Sequence, residues 1–259
     1  MLTLLKIGGK VLDHPATLQQ VLDDFASLAG PKILVHGGGK TATQVAAKLG
    51  IEAPLIQGRR VTSPEMMKVA MMVYGGLMNK QLVSMLQARG CQALGLTGAD
   101  LDVIRAEKRP VKEIDYGLAG DIVAVNGEAL RDLLLRGIVP VLAPLTHDGQ
   151  GHMLNTNADT IASTVARTLA PGEEVHLVFG FEKAGVMEDP ADESSLIHEL
   201  LPEDFARYRA QGVIAGGMIP KLSNAFEALE AGVHRVYICH ASKISTLGSR
   251  DFVGTVIRL

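Results

Sequence analysis

The stretch KILVHGGGKTATQVAAKLG, residues 32–50, passes from an apolar run through three glycines and a lysine into a helical pattern. A strand, a glycine-rich turn and a helix in this order are typical of anion-binding loops in α/β proteins. The P-loop requires G-x-x-x-x-G-K-[ST], and counting back from Gly39-Lys40-Thr41 puts Leu34 where its first glycine should stand. The stretch is therefore not a P-loop, and its glycines need another explanation.

A second glycine turn follows the apolar run at the start of the chain, MLTLLKIGG, residues 1–9. The carboxyl ends of parallel strands form the usual ligand crevice, so Gly8-Gly9 and Gly37-Gly38-Gly39 are expected to lie close together. Glycines let backbone N–H groups approach an anion, and a following helix adds its dipole. Two tight turns would explain the same glycines equally well, so these residues alone leave both interpretations open.

Apolar runs of strand length alternate with amphipathic patterns along the whole chain. Helical spacing recurs in residues 16–29, 63–90, 157–170 and 217–232, and Ser63 is the predicted N-cap of the second of these. The methionines of residues 63–90 form an apolar stripe that is predicted to pack in the core. The alternation predicts an α/β fold, a three-layer αβα sandwich around a mainly parallel open sheet, formed by residues 1–259 as one domain.

Composition narrows the class of protein. With 47% hydrophobic and 20% charged residues the chain can bury a full core, and a net charge of -3 with 4% aromatics disfavours nucleic acid as a partner. No run approaches the ~18 apolar residues of a membrane span, and no signal peptide is apparent. Cys91 and Cys239 have neither disulfide nor zinc spacing, so core packing and a cytoplasmic location are expected.

Two lysines and an aspartate stand where charge is unexpected. Lys6 lies inside the first apolar strand and Lys221 near the start of a predicted helix, and a buried ammonium is costly unless it faces an anion. Asp159, in NTNAD at 155–159, could hold such ammonium groups or could simply cap a helix. Lys6 could likewise extend to solvent at a sheet edge. No Ser/His/Asp or Cys/His nucleophile constellation and no metal-ligand spacing is found.

Seven blocks in this order resemble the amino acid kinase family, and within it the kinases of N-acylated glutamate. They are LLKIGGKVL, ILVHGGGK, QGRRVTSPEMMKVAMMVYGGLMNKQLVSML, YGLAGDIVAVN, GIVPVLAPL, LNTNADTIAS and GGMIPKLSNAFEAL. The resemblance spans essentially the whole chain, and GRRVT with GLMNK and GMIPK is far more specific than the glycines. A Rossmann dehydrogenase fits poorly, because no G-x-G-x-x-G follows the first strand.

The resemblance implies that ATP phosphorylates the γ-carboxylate of N-acetyl-L-glutamate to N-acetylglutamyl 5-phosphate, in arginine biosynthesis. ATP and Mg²⁺ would be the cofactors, with Mg²⁺ held mainly by phosphates and waters and by no protein ligand that the sequence identifies. Two alternatives stay open, an N-succinylglutamate kinase and a non-catalytic ligand-sensing protein of the same fold. The resemblance also implies an acyl-amino-acid lobe of about residues 1–174 and a nucleotide lobe of about 175–259.

The resemblance assigns roles to individual residues. Lys6 and Lys221 would stabilise the transferring phosphoryl group from opposite sides, with Asp159 orienting both. The residues implied to bind phosphate are Gly8, Gly9 and Gly38. Those implied to bind the acylated amino acid are Gly38, Gly39, Arg60 and Asn155, with Arg60 holding the α-carboxylate and its neighbour Arg59 more typical of a surface ion pair.

The nucleotide-binding residues are implied by two shorter segments. In VFGFEKAGVM, residues 178–187, Glu182 and Gly185 match the family's nucleotide loop, whereas Phe181 and Lys183 depart from its pattern. The full implied set is Glu182, Lys183, Gly185, Val213, Ile214 and Ala215. Arginine-inhibited hexameric family members carry an additional N-terminal helix, so a homodimer insensitive to arginine is expected, with the Met-rich helix as its contact surface.

Overall fold

The computed structural model describes residues 1–56, 58–189 and 191–259. In these residues the strands are β1 (Leu2–Ile7), β2 (Lys32–His36), β3 (Leu55–Ile56), β4 (Arg59–Arg60), β5 (Gln92–Leu96), β6 (Ile104–Lys108), β7 (Gly120–Val125), β8 (Ile138–Leu142), β9 (Leu145–His147), β10 (Met153–Asn155), β11 (Val175–Phe181), β12 (Glu199–Leu200), β13 (Arg235–His240) and β14 (Thr255–Ile257). The α-helices are α1 (Gly9–Leu12), α2 (Pro15–Ser27), α3 (Gly39–Lys48), α4 (Pro64–Ala70), α5 (Asn79–Gln87), α6 (Gly127–Leu135), α7 (Ala158–Leu169), α8 (Pro202–Ala210) and α9 (Met218–Glu230).

One large sheet organises the molecule, with the strand order β12-β14-β13-β11-β1-β2-β8-β5 in the described residues. The pair β13–β14 is antiparallel, and the other neighbouring pairs are parallel. The predicted mainly parallel sheet is thereby confirmed. β1 lies at its centre, with Lys6 opposite Phe179 of β11 and Val35 of β2.

Helices cover both faces of this sheet, as predicted for a three-layer sandwich. Successive residues of β1 point to opposite faces, so Leu4 packs in a core with α7 and α9, while Leu5 packs in a core with α2 and α5. Lys6 is on the same face as Leu4, which directs it towards α7 and α9. The predicted division into two lobes near residue 174 stays a prediction. β1 belongs to the first predicted lobe and β11 to the second, and the two strands pair within a single sheet.

A smaller sheet has the order β10-β9-β6-β7, with β6 and β7 preceding β8 in the chain and β9 and β10 following it. Its β6–β7 pair is antiparallel. The β9–β10 hairpin was not predicted, because strands of three residues are too short to show an alternating pattern. This hairpin ends at Asn155, shortly before α7 begins at Ala158.

The predicted helix over residues 63–90 is continuous but not uniform. The Ser63 Oγ accepts a hydrogen bond from Met66 N at 3.1 Å, which confirms the predicted N-cap. α4 then passes into a π-helix over Met71–Met78 before α5 begins. The predicted core packing of the methionine stripe is only partly right, because Met66 is fully buried whereas Met72 is 55% exposed.

The two cysteines agree with the expected core packing, because Cys91 and Cys239 are both buried free thiols. Within the described ranges, none of the helices combines the length and the apolar character needed to cross a bilayer.

Candidate active site

The two glycine turns meet at the carboxyl ends of β1 and β2. Ile7 pairs with His36 in the ladder, and Gly37 N donates to Ile7 O at 3.0 Å. A Cβ on Gly9 would lie 3.7 Å from Gly39 N, so the two turns pack backbone against backbone. The sequence predicted this meeting of the turns, and glycines of both turns line one cleft.

The cleft has a volume of about 190 Å³. Its walls come from the glycine turns, from the β3–β4 hairpin and from the segment between β10 and α7. The lining residues named in the sequence predictions are Lys6, Gly9, Gly38, Gly39, Arg60, Asn155 and Asp159.

Asp159 brings the two lysines together. Lys6 Nζ contacts Asp159 Oδ1 as an ion pair at 2.7 Å, and Lys221 Nζ donates a hydrogen bond to Oδ2 at 2.8 Å. Lys6 and Asp159 are 153 positions apart in the sequence, and both lysine side chains are only 13% exposed. Lys221 Nζ also lies 4.7 Å from the centre of the Phe179 ring. The cluster is a carboxylate flanked by two largely buried ammonium groups.

For both Asp159 and Lys221, burial and the charge of the oppositely charged partner act on the pKa in opposite directions. Burial raises the pKa of the Asp159 carboxyl, but the charges of Lys6 and Lys221 outweigh burial and hold that pKa far below its usual range. Burial is the main cause that lowers the pKa of Lys221, with Asp159 opposing it and Lys6 adding to it. Two positive charges and one negative charge leave an excess of one, which favours binding of an additional anion.

Asp159 is not the helix cap. Asn157 Oδ1 accepts from Asp159 N at 2.8 Å and from Thr160 N at 3.2 Å, so Asn157 caps α7. The Asp159 carboxylate therefore pairs with the two lysines and does not cap the helix, which its position in the sequence also allowed.

Gly38 is required by the shape of the loop. Its φ of 148° is a conformation that residues with a side chain rarely adopt, and a Cβ there would lie 2.3 Å from Met78 Sδ. Gly38 precedes α3, so the positive end of that helix also faces the cleft.

The substitution Gly38→Ala is therefore expected to lower both the free energy of unfolding and the affinity for the acylated amino acid. Backbone strain and the clash with Met78 together should cost about 2–4 kcal/mol. Gly50→Ala is the matched control, because Gly50 also has a positive φ (69°) but nothing lies within 4 Å of a Cβ there. Thermal unfolding of the two variants should differ clearly, and equal losses would show that the contact with Met78 contributes nothing.

Arg60 is buried and bonded only to neutral acceptors. Its guanidinium donates to Ala53 O at 3.0 Å, to Gly39 O at 2.8 Å and to Thr43 Oγ1 at 2.8 Å. The residue is 6% exposed, and no described carboxylate forms an ion pair with it. A buried guanidinium that faces a cleft without a counter-ion is a strong indication of an anionic ligand.

Arg59 and Asn155 complete this side of the cleft. Asn155 Nδ2 donates to Thr62 Oγ1 at 3.0 Å, which fixes the amide beside Arg60. The prediction that Arg59 forms a surface ion pair is wrong. Arg59 lines the cleft, and it forms no ion pair with any carboxylate in the described residues. Burial and the nearby Arg109 guanidinium lower the pKa of Arg59, while Asp121 and Tyr116 oppose them. With Arg60 beside it, Arg59 places a second guanidinium on this wall of the cleft.

His36 and Asn79 support the glycine turn, and the sequence did not show this. Asn79 Nδ2 lies 3.2 Å from His36 Nε2 and donates to Val141 O at 2.9 Å. Burial lowers the pKa of His36 to about 4, so its imidazole is neutral at neutral pH. The only sequence indication was the Asn-Lys pair in GLMNK, which the resemblance marked as specific without giving it a role.

The residues predicted to bind nucleotide lie in two places near Lys221. Glu182 pairs with Lys10 at 2.6 Å. Gly185 is explained by packing, because a Cβ would lie 2.6 Å from Leu196 Cδ1 and 2.6 Å from Thr255 Oγ1. The other segment is a turn before α9, in which the backbone N–H groups of Val213 and Ile214 both donate to Tyr208 O. Binding of nucleotide by these residues, by Lys183 and by Ala215 stays a prediction.

The fold and this site define a phosphotransferase class, and comparison with known proteins agrees. Residues 1–240 match the amino acid kinase family, and the chain belongs to that family. Within it, the chain is 57% identical over 247 residues to the acetylglutamate kinase of Bacteroides fragilis, covering 95% of each chain. It is 40% identical over 260 residues to the acetylglutamate kinase of Methanopyrus kandleri, covering 98% of this chain and 99% of the relative.

Solved structures show the same fold at greater distance. The N-acetylglutamate synthase of Neisseria gonorrhoeae, in complex with coenzyme A and N-acetyl-glutamate, superimposes with a TM-score of 0.85 at 24% identity. The match covers 100% of this chain but only 59% of the synthase. Carbamate kinase from Giardia lamblia bound to AMP-PNP gives a TM-score of 0.71 at 14% identity, over 99% of this chain and 98% of that one.

Proposed function

We propose that the protein is an acetylglutamate kinase, which transfers the γ-phosphoryl group of ATP to the γ-carboxylate of N-acetyl-L-glutamate. The product is N-acetylglutamyl 5-phosphate, an intermediate of arginine biosynthesis, and the expected location is the cytoplasm. The observation that carries the proposal is the Lys6–Asp159–Lys221 cluster at the edge of a cleft that also contains the buried Arg60. The identity to acetylglutamate kinases over nearly the whole chain supports it.

The nucleophile needs no activation in this reaction. A γ-carboxylate with a pKa near 4.3 is already ionised at neutral pH, so no general base is required. The obstacle is electrostatic, because an anion approaches a polyanionic phosphate and charge spreads over the phosphoryl oxygens at the transition state. Catalysis then consists of positioning and fixed positive charge, which the two lysines provide.

Asp159 acts as a positioning residue. Its carboxylate holds both ammonium groups within 2.8 Å, so their mutual repulsion does not drive them apart before the anionic substrates bind. Because the pKa of Asp159 lies far below its usual range, the carboxylate stays ionised throughout the range in which the enzyme would work. The lysines are therefore ordered in advance, which lowers the cost of orienting them at the transition state.

The glycine turns supply the second set of donors. Backbone N–H groups of Gly9 and Gly38 bind the γ-phosphoryl oxygens, and Gly8 shapes the turn next to Lys6. A Cβ on Gly8 would lie 3.8 Å from Lys6 Nζ, so a larger residue would crowd the space in front of the ammonium. These amides need no reorganisation during the reaction.

The acylated amino acid binds on the other side of the cleft. Arg60 binds the α-carboxylate through its planar fork, Asn155 binds the amide, and Gly38 with Gly39 lines the pocket. The segments assigned to the nucleotide contain Glu182, Lys183, Gly185, Val213, Ile214 and Ala215, of which Gly185 and the buried Ile214 shape the backbone of these segments.

Mg²⁺ fits this site as an ion held by the nucleotide. Asp159 is the carboxylate among the described lining residues, and both of its oxygens already contact ammonium groups. Phosphates and waters would therefore supply the Mg²⁺ ligands, as hard oxygen donors. When bound, the ion neutralises phosphate charge.

A second candidate substrate is N-succinylglutamate, and Arg59 favours it. This half-buried cation lines the same cleft as Arg60 and forms no ion pair with a described carboxylate. An acyl group that ends in a second carboxylate would supply the missing partner, whereas an acetyl group would not.

A coupled ADP-release assay tests the function and separates the two substrates. N-acetylglutamate, N-succinylglutamate, glutamate, aspartate and carbamate are offered in parallel to the wild-type chain. Turnover with an N-acylated glutamate is expected, and a preference for the succinyl form that disappears in Arg59→Ala would assign that residue to the acyl chain. Turnover only with aspartate or carbamate would overturn the proposal, and no turnover with any of the five would leave a ligand-sensing role.

We also propose a homodimer formed through the π-helix. Met71, Met72 and Leu77 are 43%, 55% and 46% exposed on this one segment, and a cluster of large apolar side chains is typical of a contact surface. Light scattering is expected to give two chains of 27.5 kDa for the wild type. Met72→Glu should weaken the dimer, while Leu49→Glu, an exposed apolar residue elsewhere, should not. A hexamer, or a dimer indifferent to Met72→Glu, would contradict this proposal.

A further inference from the structure

Three potential metal ligands converge at the amino ends of β11 and β13. Glu174 Oε1 lies 3.3 Å from His176 Nε2 and 3.6 Å from His234 Nε2. The candidate ligand atoms of the three residues all lie within 4.8 Å of one another. His176 occupies the opposite face of the sheet from Phe179, so the cluster is separate from the cleft that contains Lys6.

The central sheet fixes the backbone of all three residues. His176 pairs with Arg235 in the parallel ladder, which puts His234 beside the start of β11. His234 N donates to Val175 O at 2.9 Å, and Leu2 N donates to Glu174 O at 2.7 Å. The cluster therefore does not depend on a loose loop for its arrangement.

His176 Nε2 is buried and points into the cluster. Its side chain is 10% exposed, and Nε2 contacts Glu174 Oε1 at a long 3.3 Å. A buried polar atom with only a long contact is poorly compensated for its lost hydration. A cation between the imidazole and the carboxylate would satisfy both groups.

We propose that Glu174, His176 and His234 bind a divalent transition-metal ion of the zinc type, with water as the fourth ligand. Metal–nitrogen and metal–oxygen bonds of about 2.0–2.1 Å at a tetrahedral angle place two ligand atoms about 3.3 Å apart. The 3.3 Å between Glu174 Oε1 and His176 Nε2 agrees with this value, and His234 Nε2 lies 3.6 Å from the same oxygen before its ring turns. Imidazole ligands favour Zn²⁺ over Mg²⁺, so this ion is different from the one that accompanies ATP.

His234 is the ligand that has to move. Its ring stacks on that of His176, with centroids 5.5 Å apart and an angle of 11° between the planes. Parallel rings cannot both direct a lone pair at one ion, so the His234 ring must turn. Its side chain is 50% exposed, which gives it room to do so.

A bound ion would link the starts of two adjacent strands and stabilise the folded chain, because the unfolded chain lacks the preformed site.

Calorimetric titration of the full chain with Zn²⁺ alone, without nucleotide, tests this inference. The wild type is expected to bind one ion, and the melting temperature should rise with Zn²⁺. His234→Ala and Glu174→Gln should each weaken binding by at least ~10-fold. Both residues are half-exposed, so the variants should fold.

His198→Ala is the matched control, since His198 is exposed and outside the cluster. It should leave both the affinity and the rise in melting temperature unchanged. Replacing Zn²⁺ by Co²⁺ should give the visible absorption of a four-coordinate ion in the wild type and not in His234→Ala. Zn²⁺ binding that survives both ligand substitutions, or no binding at a molar excess of Zn²⁺, would overturn the assignment.

Discussion

Replacing Lys6 or Lys221 by alanine is expected to lower kcat by roughly 10²- to 10³-fold in each variant. Each substitution removes an ammonium group that is aimed at the charge developing on the transferred phosphoryl group. The KM for the acylated amino acid should change much less, because neither lysine is assigned to its α-carboxylate or amide. Steady-state kinetics with ATP and the preferred acylglutamate measures both constants.

Lys40→Ala is the matched control for these two variants. Lys40 follows the same glycine turn but is 61% exposed, and it lies 3.4 Å from Asp13. It is not among the described residues that line the cleft, so its loss should leave kcat close to the wild-type value. Near-normal turnover in Lys6→Ala or Lys221→Ala would remove that lysine from the mechanism.

Replacing Arg60 by alanine is expected to raise the KM for the acylated amino acid by about 10²-fold or more, with little effect on the KM for ATP. The guanidinium is a buried cation that lines the cleft without an acidic partner among the described residues, and the substrate α-carboxylate would supply that partner. Arg60→Lys keeps the charge but loses the planar fork, so it should recover only part of the affinity.

Stability has to be measured alongside these kinetics, because Arg60 also donates to the carbonyls of Ala53 and Gly39. Arg59→Ala is the control from the adjacent position, and with N-acetylglutamate it should change the KM little. The account predicts a large rise in KM for folded Arg60→Ala at saturating ATP. An unchanged KM would show that the substrate carboxylate binds elsewhere.

Local patterns in the sequence predicted the framework of the fold. The apolar runs before Gly8 and Gly37 form adjacent parallel strands, and Ser63 caps the helix that its position indicated. Such features depend on neighbouring residues, which is why one sequence suffices for them. The π-helix of Met71–Met78 was missed, although its Gly75-Gly76 pair, unfavourable inside an ordinary helix, was a signal in the sequence.

The sequence pattern identified one residue of the site but not the contacts between its residues. Lys6 could be singled out by its position in an apolar strand, but the resemblance, and not the pattern, linked it to Asp159 and Lys221. The ion pairs between them join three separate elements, and no local rule specifies such contacts.

Other contacts had no indication in the sequence. Arg60 was implied to bind substrate, but only the position of the β3–β4 hairpin shows that the adjacent Arg59 lines the same cleft. Likewise, His176 and His234 are 58 positions apart, and they become neighbours because β11 pairs with β13. Contacts made by strand pairing require the topology, which the sequence patterns only outlined.

The most direct test of the central claim is a crystal structure of the enzyme with ADP, aluminium fluoride and the acylated glutamate. The fluoride group mimics the phosphoryl group in transfer. The account predicts that the ammonium nitrogens of Lys6 and Lys221 both lie within hydrogen-bonding distance, about 3 Å, of this group, on opposite sides of it. A structure in which either nitrogen points away from the fluoride, with both substrates bound, would contradict it.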